Sequence, residues 1–130
     1  IGIAPLLGRA LAEVKGVHLA FVYGSYVSVF GKAESTWSGD SDVDLLVVGD
    51  VDPRAVSRIA RDVGARTSRQ INYTILAVKE VVGKIAHRDS FIADVLSKPV
   101  LPLVGFPKSD YTTPTRRKSE DFMKLLERHE

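Results

Sequence analysis

Two acidic residues, Asp42 and Asp44, interrupt an otherwise apolar run. Residues 41–48 have the composition of a buried strand, and Gly49 ends it. Side chains of a strand alternate between faces, so the two carboxylates share a face, with Cα atoms roughly 6–7 Å apart. Unpaired carboxylates this close repel each other and are unfavourable to bury. The spacing predicts that they hold one divalent cation or bridge two. The alternative is that Ser41 and Asp42 form a turn and Asp44 is a solvated strand acid.

A second pair, Gly24 and Ser25, follows the apolar run 17–23, which predicts a strand ending in a tight turn. A strand that ends in Gly-Ser before a helix offers backbone N–H groups, a hydroxyl and a positive helix end to phosphate oxygens. The alternative is an ordinary turn with Ser25 as the N-cap. The order strand, Gly-Ser, helix, loop, Asp-x-Asp strand favours a site for a metal ion and a triphosphate.

The elements that position these residues alternate between helical and extended patterns. Residues 31–40, which include Trp37, fit no period and predict a loop, and the strand at 41–48 is expected to be central. Predicted helices cover 5–14, a short stretch after Ser25, 53–64, 79–86 and 89–97, and further strands cover 71–78 and, at an edge, 100–104.

Length and composition predict a folded domain with one core. The chain has 130 residues, 45% hydrophobic and 26% charged, and no apolar run of the roughly 20 residues that a membrane helix needs. We therefore expect a cytoplasmic protein without membrane contact. It contains no cysteine, which excludes disulfides and Cys-ligated metals and favours hard cations. The bulky first residue, Ile1, predicts a fragment of a longer protein.

Three segments follow from these patterns. Residues 1–106 form the predicted main domain. Residues 107–119 are rich in Lys, Ser, Thr, Pro and Arg and predict a flexible connector, and residues 120–130 predict a short helix.

Together, Gly24-Ser25 and the run Ser41-Asp42-Val43-Asp44-Leu45 resemble the signature of the DNA polymerase beta type nucleotidyltransferase superfamily, in its minimal nucleotidyltransferase branch. The resemblance extends over residues 6–105, including the runs at 71–74 and 102–105. It is similar to members that are fused to winged-helix DNA-binding domains, in agreement with the predicted missing N-terminal part.

The resemblance implies an α/β (α+β) nucleotidyltransferase fold, a small mixed β-sheet packed against helices. It implies that Gly24 and Ser25 bind the phosphates of a nucleoside triphosphate such as ATP, and that Asp42 and Asp44 ligate Mg²⁺. Active members carry a third acid on the next strand, where this chain has Asn72, an amide that ligates metal but accepts no proton. Glu80 is a weaker substitute, since it is expected to be a solvated helix acid.

The implied activity is transfer of a nucleoside monophosphate from a triphosphate to a hydroxyl of a protein, an RNA or a small molecule. Two alternatives are a nucleotide-sensing module attached to a winged helix, and an antitoxin that pairs with a helical toxin. A protein partner, a nucleic acid and a homodimer all stay open. The stripe of Arg54, Arg58 and Arg61 favours a solvated helix face over a contact with nucleic acid or an acidic partner.

Overall fold

The computed structural model describes residues 2–30, 42–111 and 113–127. The loop predicted at 31–40, with Trp37, lies outside them. Within these ranges, no helix is both long and apolar enough to cross a membrane. The helices are α1 (Ile3–Ala12), α2 (Ser25–Ser28), α3 (Pro53–Thr67), α4 (Val78–Ala86), α5 (Ser90–Leu96) and α6 (Ser119–Glu127), and the strands are β1 (Val17–Tyr23), β2 (Val43–Gly49), β3 (Ile71–Leu76) and β4 (Leu101–Val104).

The four strands form one mixed sheet in the order β3-β2-β1-β4. Strand β1 is antiparallel to both β2 and β4, whereas β2 and β3 are parallel. A parallel pair needs a crossover connection, and α3 provides it between β2 and β3. The central position predicted for β2 and the edge position predicted for β4 are confirmed. So is the predicted fold class, a small mixed sheet packed against helices.

Strand β2 is buried on both faces, which explains its nearly continuous apolar sequence. Helices α1 and α3 cover one face of the sheet, and α4, α5 and α6 cover the other. The first layer includes Leu7, Leu11, Leu45, Val47, Val56 and Val63. The second includes Phe21, Leu46, Val48, Val81, Ile92 and Leu126.

The C-terminal part of the chain is bonded to this body. Thr115 and Val100 exchange two backbone hydrogen bonds, of 2.8 and 2.7 Å, and the Arg116 guanidinium donates to the Ser97 carbonyl at 3.0 Å. Within the segment, the Arg117 guanidinium lies 2.6 Å from the Asp110 carboxylate. Helix α6 begins one residue before its predicted start and packs into the second layer. These polar contacts lie in residues 107–119, where the sequence predicts a flexible connector, and the flexibility of that segment stays a prediction. A polar segment builds no core of its own, but here its backbone and charged groups find partners on the folded body.

Candidate functional site

The sheet register brings the predicted acids and amide together. Asp44 of β2 lies opposite Tyr23 of β1 on one side and opposite Asn72 of β3 on the other. Residues opposite each other in neighbouring strands place their side chains on the same face. Asp42 immediately precedes β2 and is exposed, and Asp44 is half-buried. The polar cluster therefore lies at one end of the sheet, on the face that α4, α5 and α6 cover.

The Asn72 amide joins the two carboxylates. Its Nδ2 donates to Asp42 Oδ2 at 3.2 Å and to Asp44 Oδ1 at 3.4 Å. Its Oδ1 accepts a hydrogen bond of 3.2 Å from Gln70 Nε2. Within the described part of the chain, no cationic side chain forms an ion pair with either aspartate. The two carboxylates thus converge on one point, where, among the side chains of residues 2–30, 42–111 and 113–127, a neutral N–H group meets their charge.

The turn after β1 runs directly against Asp44. Gly24 has φ +84° and ψ −156°, a conformation that is essentially restricted to glycine. A Cβ atom at this position would lie 2.7 Å from Asp44 Oδ2. The absence of a side chain at Gly24 therefore leaves the space that the carboxylate occupies.

Ser25 is the first residue of α2 and is exposed. The helix N-cap is Gly24, without a side-chain hydrogen bond, so the alternative that Ser25 is an N-cap is wrong. The first N–H groups of a helix have no acceptor within it. Helix α2 starts directly after Gly24, the residue that adjoins the Asp44 carboxylate.

Tyr23 and Thr74 also belong to this cluster, although neither is among the site residues predicted from the sequence. Burial foremost, and then the charge of Asp44, raise the pKa of Tyr23, while a hydrogen bond with the Thr74 side chain acts in the opposite direction. Tyr23 directly precedes Gly24, and Thr74 lies two residues after Asn72 on the same strand face. Strand alternation around the two motifs was the signal that could have identified both.

The donor set fits a hard cation. Carboxylate and amide oxygens are ligands that Mg²⁺ accepts, and this ion usually keeps several waters and bonds to substrate phosphates. Asp42 and Asp44 can supply two such oxygens to one ion. The Asn72 amide presents its Nδ2 to these carboxylates and its Oδ1 to Gln70, so it would supply a third oxygen only with its two amide atoms exchanged. No group of three or more His, Cys, Asp or Glu side chains suited to a metal occurs in the described residues. Protein carboxylates would therefore form only part of the coordination shell.

Glu80 does not contribute to this site. Its Oε1 accepts a 2.7 Å hydrogen bond from the backbone N–H of Ala77, so it caps the start of α4.

The three arginines of the α3 stripe are exposed, and Arg54 contacts the Asp52 carboxylate at 3.4 Å. This arrangement agrees with the solvated helix face that the sequence favours.

Comparison with known proteins gave one similar structure. No protein-family model matches the chain. No curated protein sequence matches it either. A crystal structure of the toxin–antitoxin pair MntA–HpeT, with two Asp-to-Glu substitutions, is similar to this chain at a TM-score of 0.47 and 12% sequence identity, covering 97% of this chain and 84% of that one.

Proposed function

We propose that this domain is a nucleotidyltransferase, which transfers a nucleoside monophosphate from a triphosphate to a hydroxyl group. The observation that carries the proposal is the convergence of the Asp42 and Asp44 carboxylates on one point, 3.2 and 3.4 Å from the Asn72 amide nitrogen. The glycine turn that adjoins them supports it, because phosphate oxygens need backbone N–H groups and close approach. In the described part of the chain neither acid has a cationic partner, so their proximity is unfavourable to the fold unless a cation binds there.

In the proposed reaction, Asp42 and Asp44 would hold the divalent ion, and Gly24 and Ser25 would contact the phosphate tail. The acceptor oxygen forms a bond to the α-phosphorus while the bond to the bridging oxygen breaks, and pyrophosphate leaves with that electron pair. Mg²⁺ bound at the acids would supply charge neutralisation and lower the pKa of a coordinated oxygen. Asn72 cannot accept the proton that the hydroxyl loses, so the proton passes to a carboxylate or to water.

A second candidate is a nucleotide-binding regulatory module with little turnover. The observation that favours it is the Asn72 amide itself, which meets both aspartates where active relatives of the proposed kind need a third carboxylate. Loss of that acid affects the activation of the attacking oxygen more than the binding of the nucleotide. The winged-helix partner and the helical toxin partner implied by the sequence resemblance stay predictions.

Calorimetric titration with each of the four nucleoside triphosphates, with Mg²⁺ and with excess chelator, tests the site. We expect binding only with the divalent ion, because the aspartates otherwise repel the phosphate tail. Asp44→Asn should abolish this binding and leave the fold intact or slightly more heat-stable. Asp62→Asn, which changes an exposed acid of α3, is the matched control and should bind normally.

Equal affinity in chelator, or unchanged binding by Asp44→Asn, would contradict the proposed site. Turnover is tested separately with labelled triphosphate and cell extract, which reports transfer to a protein, an RNA or a small molecule. Binding without any transfer would favour the regulatory module over the enzyme.

A further inference from the structure

Three large hydrophobic side chains in the described residues are more than a third exposed. They are Phe30 (38%), Tyr73 (39%) and Phe91 (38%). Single exposed aromatics are common, so their positions decide whether they matter. Phe30 lines a groove between α1 and β4, and Tyr73 lines one between α3 and β3. Phe91 differs from both because it packs against a residue of the polar cluster.

The contact between Phe91 and the cluster runs through Tyr23. The two rings meet edge to face, with centroids 5.9 Å apart and an interplanar angle of 82°. Tyr23 is in turn opposite Asp44 in the sheet, and its hydroxyl bonds to Thr74. One tyrosine therefore borders the proposed metal-binding acid and also supports an exposed aromatic ring.

The position of Phe91 is fixed from its own helix. Phe91 is the second residue of α5, whose N-cap, Asp89, accepts a 3.1 Å hydrogen bond from the Ile92 backbone. Ile92 is buried in the second layer, so it anchors the helix while Phe91 faces outward. The ring of the buried Phe21 also packs against Tyr23, with centroids 6.3 Å apart. The exposed ring is thus held on a rigid support.

We propose that Phe91, supported by Tyr23, is the platform on which the base of the nucleotide stacks. The inference rests on the proposed nucleotide site, since it places the base beside the acids that hold the phosphates. Aromatic rings in nucleotide-binding proteins stack on any base, because every base has a π-face. The platform accordingly contributes affinity for all four triphosphates and does not select among them.

The test compares two ligands on the whole chain, ATP with Mg²⁺ and inorganic tripolyphosphate with Mg²⁺. Phe91→Leu keeps an apolar side chain but removes the π-face. We expect it to weaken ATP binding at least about fivefold, the lower end for loss of one aromatic–base stack, and to leave tripolyphosphate binding unchanged. Phe91→Trp should restore or strengthen ATP binding. Phe30→Leu, a change of the same residue type at the same exposure, should bind both ligands normally.

The outcomes separate the two proposals. If the wild type binds neither ATP nor tripolyphosphate with Mg²⁺, the nucleotide site itself is wrong, and the platform with it. If the wild type binds ATP and Phe91→Leu binds it equally well, the nucleotide site stands and the platform is wrong. An equal loss of both ligands in Phe91→Leu would also overturn the inference, because it would show damage to the phosphate or metal site. Melting curves of each variant confirm that it is folded under the titration conditions.

Discussion

Gly24→Ala should destabilise the protein and disturb the acid pair at once. Alanine cannot adopt the observed φ of +84° and ψ of −156° without strain, which costs about 1–3 kcal/mol. Its Cβ would also lie 2.7 Å from Asp44 Oδ2, so the carboxylate must leave its rotamer at a cost of about 1 kcal/mol. Alanine also lowers the conformational entropy of the unfolded chain, which offsets roughly 0.4–1 kcal/mol of these two costs.

The expected net loss in the free energy of unfolding is about 2 kcal/mol, which lowers the Tm by about 8 °C in a chain of this length. Urea denaturation and thermal melts measure both quantities. The matched control is Gly83→Ala in α4, where an added Cβ meets no atom within 4 Å. That change should instead raise the stability by roughly 0.5–1 kcal/mol, because alanine is the better helix former.

A double-mutant cycle separates the cost of backbone strain at Gly24 from the cost of the contact with Asp44. In an Asp44→Ala background the carboxylate is gone, so Gly24→Ala should lose only the strain part and cost about 1 kcal/mol less. Equal costs in both backgrounds would show that Gly24 does not press on Asp44. A Gly24→Ala protein within about 0.5 kcal/mol of the wild type would refute the whole reasoning, because that is the ordinary range for surface substitutions.

Three further predictions concern titratable groups, two at the site and one at the start of α3. Asn72→Asp adds a third carboxylate beside Asp42 and Asp44, so transfer from labelled triphosphate should rise at nearly constant nucleotide affinity. The rise can reach the roughly 10²–10⁴-fold that general-base assistance contributes. Strong labelling by the wild type that this variant reduces would contradict the prediction. The backbone N–H of Arg54 lowers the pKa of the α3 N-cap, Asp52, so its stabilisation is present above the ordinary aspartate pKa and is lost as the pH falls through the lowered value. Asp52→Asn keeps a capping side chain and should flatten the acid limb of the stability–pH curve, and an unchanged limb would show that this cap does not titrate. The raised pKa of Tyr23 gives stability that is present below the ordinary tyrosine pKa and is lost as the pH rises through the raised value. Tyr23→Phe should therefore reduce the loss of unfolding free energy at alkaline pH. An equal loss in both proteins would contradict this prediction.

The local pattern of the sequence predicted most of the elements. Every α-helix and strand in the described residues was expected within a few residues, because apolar periodicity and Gly or Pro positions act over short distances along the chain. The same alternation placed Asp42 and Asp44 on one face. At residues 107–119 a polar composition predicted a flexible connector, and the structure shows hydrogen bonds from Thr115 and Arg116 to the main body and an ion pair inside the segment.

The sequence by itself determined the identity of the two acids, the amide and the glycine of the turn, and it determined which side chains of β2 share a face. The tertiary structure alone decided that Asn72 lies opposite Asp44, that Gly24 passes within contact of that carboxylate, and that Phe91 of a distant helix reaches Tyr23. Register between β2 and β3 and the docking of α5 depend on pairing between residues far apart in the chain. Periodicity gives the faces of each element, but only the packing of the two layers fixes which faces meet.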